Sequence, residues 1–354
     1  MKYTRGILLI ALISFGYTWT KRVHSVSGKV LSVDEIDNFV LHQMDSLKIP
    51  AVSMAIIDNS KIVYHRTFGV KNKNTKEPIN ANSLFDAGSL TKTLFAYWAL
   101  KAVDKKQLDL DRPLYQYLPY PDIEYDERYK LITTRMVLSH TSGFPNWRRF
   151  NKDKKLDIKF PPGTDFNYSG EGYEYLANVL AHLNNTKKDS LESFIRKDLY
   201  KPLKMKNSST VWSKKVSANR IDGHINGQVA KGWGISLDNP GFYAAYSLQS
   251  EAKDYAKLLI AIMTGQELAE KTRKEMLDIQ IDSKAKEKVW GLGIEIIKSN
   301  DGKLLYTHGG FNNDFSSGYL FSTDTNNGYV FFASSDTGYK LNDIFQKYFV
   351  GKSK

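Results

Sequence analysis

The chain has 354 residues, of which 42% are hydrophobic, 13% aromatic and 25% charged, and its formal net charge is +12. This length and composition indicate a folded protein with a large core and about two structural lobes, and they exclude a disordered or fibrous chain. The absence of cysteine excludes disulfides, thiolate metal sites and a cysteine nucleophile. The basic residues are scattered and form no stripe interleaved with aromatic residues, so no nucleic-acid partner is predicted.

The first 22 residues have the pattern of an export signal. Lys2 and Arg5 precede an apolar run at 6–19, which is shorter than the stretch of about 20 residues that spans a membrane. No small-x-small cleavage site clearly follows, so the segment 1–22 is interpreted either as a cleaved signal or as an uncleaved membrane anchor. Both interpretations predict export to the periplasm or cell envelope, and the second adds attachment to the inner membrane. The basic flanks disfavour a buried core helix.

The next elements are predicted to be a helix and a β-hairpin. Ser32 and Glu35 have the spacing of a capping box, and apolar residues then recur at helical spacing to about Leu47. Two strand-like runs follow, Ala51–Ile57 and Lys61–Phe68, joined by a short turn signal.

The middle of the chain is predicted to be mostly helical, from about Leu94 to Leu203. The strongest helical patterns lie at 94–103, 134–138, 172–183 and 191–199.

The C-terminal part returns to strands. Ser317–Ser322 and Gly328–Ser334 flank a turn signal, and Leu341–Val350 has the pattern of a closing amphipathic helix. Strand signals at both ends of the chain predict an α+β (or α/β) fold: one antiparallel sheet flanked by helices, with an inserted, mostly helical lobe. The predicted domain covers 30–350, with the sheet lobe at about 30–93 and 204–350 and the helical lobe at about 94–203.

Ser89 and Lys92 form the main candidate for chemistry. They lie three residues apart at the start of an apolar helical pattern, so the amine can reach the hydroxyl. A serine at a helix N-terminus also lies beside unpaired N–H groups and the positive end of the helix dipole, which favour an oxyanion. A serine hydroxyl needs a neighbouring base, and lysine can be that base only if burial or a nearby cation lowers its pKa. Alone, the same pattern also fits a helix-capping serine and a solvated lysine.

Two distant segments add context to this motif. Tyr168-Ser169-Gly170 follows a turn-rich stretch, and His308-Gly309-Gly310-Phe311 lies between two strand-like runs. With the Ser89–Lys92 motif and the segment LITTRMVLSHTSGFPNW at 131–147, their order resembles that of the class C β-lactamases, the related D-Ala-D-Ala carboxypeptidases and penicillin-binding proteins, and the serine esterases of the same fold. The resemblance covers about residues 33–350. It implies a β-lactamase/transpeptidase-like fold and an acyl-enzyme reaction, and it leaves the substrate open.

The resemblance also implies roles for individual residues. Ser89 would be acylated, Lys92 would be its base or proton relay, and Tyr168 would share proton transfer and help to activate the deacylating water. Since an unperturbed tyrosine has a pKa of about 10, Tyr168 would need a neighbouring cation to act as a base near neutral pH. The segment 308–310 matches the family's Lys-Thr-Gly strand motif. The N–H groups of Ser89 and Phe311 would form the oxyanion hole.

Two departures from the family pattern bear on the substrate. Gly170 replaces the asparagine that contacts the substrate amide in the β-lactamases, and His308 and Gly309 replace a charged lysine and a threonine. A neutral imidazole, with an ordinary pKa of about 6.5, anchors a carboxylate less well than a lysine. Efficient β-lactam hydrolysis is therefore disfavoured, and an ester, or a peptide amide recognised in another way, is at least as well supported.

The remaining residues that could take part in metal or acid–base chemistry are better explained by structural roles. His140 is interpreted as part of a structural loop, and the other five histidines form no zinc-binding motif. Asp109 and Asp111 could suggest calcium, but Asp111 is interpreted as a helix N-cap, with Pro113 near the first turn.

Motifs of other enzyme classes are absent from the sequence: there is no G-x-S-x-G elbow, no P-loop and no G-x-G-x-x-G after a strand. Trp290–Gly293 is interpreted as a strand with close backbone packing. Tyr246 and Ser247 are interpreted as structural residues before a helix that begins at about Ser250.

The sequence thus predicts an exported serine hydrolase, without a cofactor, that acts on esters or amides of small molecules, peptides or cell-wall material. Two alternatives stay open: a β-lactamase or D-Ala-D-Ala carboxypeptidase, and a non-catalytic binding protein of the envelope.

Overall fold

The computed structural model describes residues 22–299 and 302–351. The predicted export segment lies outside these residues except for Arg22, so both of its interpretations stay predictions. Within the described ranges, no helix combines the length and the apolar character that crossing a membrane requires.

The described residues form both β-strands and α-helices. The strands are β1 Arg22–His24, β2 Val30–Ser32, β3 Ala51–Asp58, β4 Lys61–Gly69, β5 Phe85–Asp86, β6 Gly223–Ile225, β7 Gln228–Ala230, β8 Gln249–Ser250, β9 Ile281–Ser283, β10 Lys288–Trp290, β11 Glu295–Lys298, β12 Leu304–Phe311, β13 Ser316–Ser322 and β14 Asn327–Ala333. The α-helices are α1 Val33–Leu47, α2 Leu90–Asp104, α3 Thr134–Leu138, α4 Gly170–Leu183, α5 Leu191–Ile195, α6 Lys214–Asn219, α7 Ala252–Thr264, α8 Glu270–Leu277 and α9 Leu341–Phe349.

The largest sheet in the described residues is antiparallel and has eight strands. Its strand order is β4-β3-β14-β13-β12-β11-β10-β9, so the N-terminal hairpin pairs with the C-terminal strands through β3 and β14. This arrangement confirms the predicted antiparallel sheet, which is assembled from both ends of the chain and flanked by helices. Both predicted hairpins, β3–β4 and β13–β14, are present.

The sheet is buried on both faces. Successive side chains of a strand point to opposite faces, and on β3 Val52, Met54 and Ile56 join one buried cluster with α1 and α9. Ala51, Ala55 and Ile57 join a second cluster, which also contains α2, α4 and α7. The near-continuous apolar sequence of β3 follows from this burial on both sides.

Helix α1 begins where the capping box predicts. The Ser32 hydroxyl accepts a hydrogen bond from the Glu35 N–H at 3.2 Å, and the Glu35 carboxylate accepts one from the Ser32 N–H at 2.7 Å. The helix ends at Leu47 because Lys48 adopts a left-handed conformation.

Between 94 and 203, the described helices include α2, α3, α4 and α5, and no strand of the sheet lies in this range. Helix α2 begins at Leu90, directly after Ser89, as the position of the Ser89–Lys92 motif predicts, and it contains the helical pattern at 94–103. The predicted helix 191–199 is α5 followed by a wider π-helical turn at Arg196–Tyr200. The division into a sheet lobe and a helical lobe stays a prediction.

Candidate active site

Ser89 lies at the junction between β5 and α2. It occupies the N-cap position of α2, yet its side chain makes no capping hydrogen bond within the described residues. The hydroxyl is therefore free for another role, which argues against the structural interpretation of this serine.

Lys92 lies almost entirely out of solvent, with 1% of its surface exposed. Its Nζ donates to the carbonyl oxygen of Ala245 at 2.9 Å and lies 3.4 Å from the Ser89 Oγ. Burial lowers the pKa of Lys92 to about 7, and the negative charge of Glu174 partly opposes this shift. The alternative of a solvated lysine is wrong, because the amine is buried against the candidate nucleophile.

Tyr168 is the third candidate residue, and it lies beside Lys92. The Lys92 Nζ lies 4.6 Å from the centre of the Tyr168 ring, and the phenol oxygen is buried without a hydrogen-bond partner among the described residues. Burial raises the pKa of Tyr168, and a polar contact with Ser89 opposes the rise, although the two hydroxyls lie outside ordinary hydrogen-bond geometry. A base near neutral pH would need a lowered pKa, so this direction of shift does not favour Tyr168 as the base, and its share in proton transfer stays a prediction. The raised pKa favours the protonated phenol, which is the form that can donate a proton.

His308 lies on β12, next to Tyr168 and Lys92. Its Nδ1 contacts the Gly309 carbonyl oxygen at 2.7 Å, and because a carbonyl only accepts, Nδ1 carries the proton and donates. Burial and the neighbouring Lys92 lower the pKa of His308 to about 3. The imidazole is therefore neutral at physiological pH, which agrees with the departure from a charged lysine seen in the sequence.

The turn before Ser89 packs directly against β12. A Cβ on Gly310 would lie 2.2 Å from the Ala87 carbonyl oxygen, and one on Gly88 would lie 2.6 Å from the Phe311 nitrogen. The Ser317 hydroxyl donates to the Ala87 carbonyl oxygen at 2.8 Å. Two glycines thus allow the backbone at Ser89 and the backbone at Phe311 to approach.

A buried carboxylate ties the same two segments together. Asp86 accepts a hydrogen bond from the Gly88 N–H at 2.9 Å and another from the side-chain amide of Asn312, the residue after Phe311. The Gln249 side-chain amide donates to it at 3.0 Å. Burial raises the pKa of Asp86, while these donors and Arg220 oppose the rise.

The predicted residues meet at one cleft of about 410 Å³. Its lining residues are Ser89, Phe166, Tyr168, Lys288, Trp290, Glu295, His308, Gly309, Gly310, Phe311, Tyr339 and Asn342. Lys92 does not line the cleft itself, but its Nζ lies 3.4 Å from the Oγ of Ser89, which does. The structure therefore brings together every residue that the sequence proposed for the site, and their chemical roles stay predictions.

Sequence reasoning missed half of this lining. Lys288 and Glu295 form an ion pair on neighbouring strands, and isolated charges of this kind carry no sequence signal. Trp290 was interpreted only as a strand residue, although its ring contacts both Tyr168 and His308, with centroids 5.9 and 5.4 Å apart. The sequence signal that could have placed Trp290 in the site was its position at the end of a strand, shortly before Gly291 and Gly293.

His140 has the structural role that the sequence favoured. It is fully buried in a left-handed conformation, and its Nδ1 accepts a hydrogen bond from the Ser169 N–H at 3.0 Å. Its ring lies 4.3 Å from the Tyr168 ring, and burial lowers its pKa well below the ordinary value. His140 thereby fixes the backbone beside Tyr168.

The acidic pair at 109 and 111 is arranged differently from the prediction. The Asp111 carboxylate pairs with Arg135 at 2.7 and 2.9 Å and does not cap a helix. Asp109 instead accepts the N–H groups of Asp111 and Arg112. The N-cap prediction for Asp111 is wrong, because an ion pair with a residue distant in sequence outcompetes the local cap. In the described residues, no cluster of three or more acidic or histidine side chains is arranged to hold a metal.

Gly170 has a neighbour that explains its missing side chain. A Cβ at this position would lie 2.7 Å from two ring carbons of Trp147 and 3.0 Å from the Asn146 carbonyl oxygen. The indole of Trp147 therefore occupies the space that an asparagine side chain would need.

A Gly170→Asn substitution is accordingly expected to lower the free energy of unfolding by about 1–3 kcal/mol, because it overpacks the contact with Trp147. Chemical denaturation measures this change. Combining it with Trp147→Ala should recover part of the loss, and strictly additive effects of the two substitutions would contradict the contact.

Comparison with known proteins identifies the class. The family model described as Beta-lactamase matches residues 36–345, so the chain belongs to the beta-lactamase family. Among curated relatives, Protein flp of Staphylococcus aureus strain MW2 is 24% identical over 193 residues, which cover 50% of this chain and 38% of flp. Penicillin-binding protein 4* of Bacillus subtilis strain 168 is 28% identical over 192 residues, 49% of this chain and 40% of that protein. The match thus spans about two fifths of the length of these relatives.

Solved structures share the fold. An octameric penicillin-binding protein homologue from Pyrococcus abyssi aligns with a TM-score of 0.76 at 20% identity, over 91% of this chain and 78% of that one. A class C beta-lactamase aligns with a TM-score of 0.72 at 20% identity, over 88% and 95%. The D-alanine carboxypeptidase AmpC from Burkholderia cenocepacia aligns with a TM-score of 0.72 at 18% identity, over 89% and 99%. The predicted family and fold are confirmed, and the family supports a serine hydrolase.

Proposed function

We propose that the protein forms an acyl-enzyme at Ser89 and hydrolyses carboxylic esters or amides. The observation that carries this proposal is the buried Lys92 amine, 3.4 Å from the Ser89 hydroxyl, with a pKa lowered to about 7. A pKa near the working pH suits a general base, since an appreciable fraction of the amine is neutral.

The proposed reaction passes one proton through three side chains. Neutral Lys92 takes the proton of Ser89 as its oxygen attacks the substrate carbonyl. The N–H groups of Ser89 and Phe311 receive the oxyanion, and each such donor contributes about 3 kcal/mol to transition-state stabilisation. Tyr168 gives its proton to the leaving oxygen or nitrogen and is reprotonated by the Lys92 ammonium. Water then attacks the acyl-enzyme and releases the acid.

The surroundings of Ser89 favour esters, or amides recognised without the β-lactamase contacts. His308 is neutral and cannot supply a permanent positive charge for a carboxylate. At Gly170, the Trp147 ring fills the place of an amide-binding side chain. Small esters, peptides and cell-wall fragments are the substrate classes we propose, in the periplasm or envelope, reached through the segment 1–22 as a signal or membrane anchor.

Two measurements test this function. A fluorophosphonate probe is expected to label Ser89, as mass spectrometry of the digested protein can establish, and Ser89→Ala should remain unlabelled. A short-chain p-nitrophenyl ester is expected to turn over faster than a chromogenic cephalosporin. Fast cephalosporin turnover with inert esters would favour the β-lactamase or carboxypeptidase alternative. Folded protein that neither the fluorophosphonate nor a fluorescent penicillin labels would favour the binding protein.

A further inference from the structure

One oxygen atom of Asp86 joins the two segments that carry the proposed oxyanion donors. Its Oδ1 accepts the Gly88 N–H at 2.9 Å and also a hydrogen bond from the Asn312 side-chain amide. Gly88 directly precedes Ser89, and Asn312 directly follows Phe311. Because consecutive Cα atoms are about 3.8 Å apart, each proposed donor lies one residue away from a group that is bound to the same oxygen.

A second polar link joins the same turn to the sheet. The Ser317 hydroxyl donates to the Ala87 carbonyl oxygen at 2.8 Å. This link holds a residue two positions before Ser89, whereas the link through Asp86 holds a direct neighbour of each donor. Loss of the Asp86 link should therefore leave the turn on the sheet and change only the separation of the two donors.

The other carboxylate oxygen of Asp86 is held by a chain of hydrogen bonds with a fixed direction. Gln249 Nε2 donates to Asp86 Oδ2 at 3.0 Å, and Arg220 Nε donates to Gln249 Oε1 at 3.1 Å. A guanidinium only donates and an ionised carboxylate only accepts, so the Gln249 amide satisfies both partners in one orientation alone. The chain thereby fixes the carboxylate, with Oδ1 directed at Gly88 and Asn312.

The surroundings of Asp86 make its charge costly. The residue is 1% exposed, and a Cβ on Gly234 would lie 2.0 Å from Oδ2, so the Gly234 backbone covers that oxygen. Burial, and to a lesser extent the charge of Asp86, raises the pKa of the neighbouring Asp314 to about 6. Arg220 opposes the rise in pKa of both carboxyl groups. Two buried carboxyl groups beside one guanidinium lower stability, and such a cost is typical of residues that are kept for function.

We propose that Asp86 is a positioning residue, which sets the separation of the Ser89 and Phe311 N–H groups in the oxyanion hole. This inference rests on the proposed function, because the oxyanion arises only when Ser89 attacks a carbonyl. Asp86 is buried and is not among the residues that line the cleft. Its substitution should therefore slow acylation and leave the binding of the ester unchanged, since only the transition state uses the two donors.

The first test removes the Asn312 amide. In Asn312→Ala, the maximal single-turnover rate of acylation by p-nitrophenyl acetate is expected to fall by about 10- to 100-fold, since a misplacement of about 1 Å costs about 10²-fold. The half-saturating concentration should stay the same. The matched control is Asn327→Ala, at the opposite end of β13, where another buried asparagine donates to the Ser25 carbonyl oxygen at 2.9 Å. The control should lose stability and acylate at the wild-type rate.

The second test exchanges the charge between Asp86 and Gln249. Asp86→Asn sets an amide donor against the Gln249 donor, and Gln249→Glu sets a second carboxylate against Asp86, so each single variant should acylate slowly. In the Asp86→Asn/Gln249→Glu variant, the new carboxylate can accept from Arg220 and from the new amide, whose oxygen still faces Gly88 and Asn312. Its acylation rate should recover. The affinity for a boronic acid, a transition-state analogue with an oxygen in the oxyanion hole, should fall and recover in parallel.

The outcomes separate the inference from the proposed function. Wild-type protein that no ester acylates contradicts both. If the wild type is acylated and folded Asn312→Ala is as fast as Asn327→Ala, the inference alone fails. Weaker ester binding in place of slower acylation overturns it, and so does a double variant whose loss is the sum of the two single losses. Chemical denaturation establishes that each variant is folded, and if Asn312→Ala is not, the exchange between Asp86 and Gln249 decides.

Discussion

Replacing Lys92 by methionine is expected to lower kcat/KM for an ester by about 10²–10⁴-fold, the range that general-base catalysis contributes. Methionine keeps the length of the side chain and removes the amine, so Ser89 loses the group that would accept its proton. The free energy of unfolding should not fall in proportion, because burying an apolar side chain avoids the desolvation of an ammonium. Steady-state kinetics and chemical denaturation measure the two effects separately.

The pH profile identifies the titrating group. Because only neutral Lys92 accepts the proton, wild-type kcat/KM should rise with pH through about 7 and level off above it. His308, with a pKa of about 3, does not titrate in this range. The negative charge of Glu174 raises the pKa of Lys92, so Glu174→Gln should move the rise to lower pH. Glu270→Gln, at an exposed ion pair with Arg273, should leave it in place. A rise that persists unmoved in Glu174→Gln would exclude Lys92 as the base.

Local patterns in the sequence predicted the elements well. The capping box at Ser32 and the two hairpin turns depend on residues a few positions apart, and the structure contains all three. The motif order also predicted which segments meet at the cleft. The capping box and the hairpin turns depend on patterns within one segment, whereas the motif order was informative only through the resemblance to a known family.

Contacts between segments that are distant in sequence could not be predicted from local patterns. The Ala245 carbonyl that holds Lys92 and the indole of Trp147 at Gly170 belong to segments whose position only the folded chain defines. The direction of the Tyr168 pKa shift also depends on burial by segments that are distant in sequence. Proximity to Lys92 suggested a lowered pKa, whereas desolvation by the surrounding residues raises the pKa and outweighs the polar contact with Ser89.

The same long-range packing sets the geometry of the proposed oxyanion hole, and two adjacent glycines test it. In Gly310→Ala the new methyl group would lie 2.2 Å from the Ala87 carbonyl oxygen and 2.3 Å from the Ser317 hydroxyl. Strand β12 must then move away from the turn that carries Ser89, which separates the two N–H donors. Acylation is expected to slow by about 10²–10³-fold, the usual loss when one oxyanion donor is removed.

Gly309→Ala is the matched substitution one residue earlier on β12. Its methyl group would meet only the Asn342 side chain, at 3.5 Å or more, which is ordinary van der Waals contact. It should therefore retain the wild-type unfolding temperature and lose far less of the acylation rate, measured by single-turnover kinetics with an ester. If Gly310→Ala acylates as fast as Gly309→Ala, the Phe311 N–H does not receive the oxyanion. The second donor must then be sought on another segment that lines the cleft.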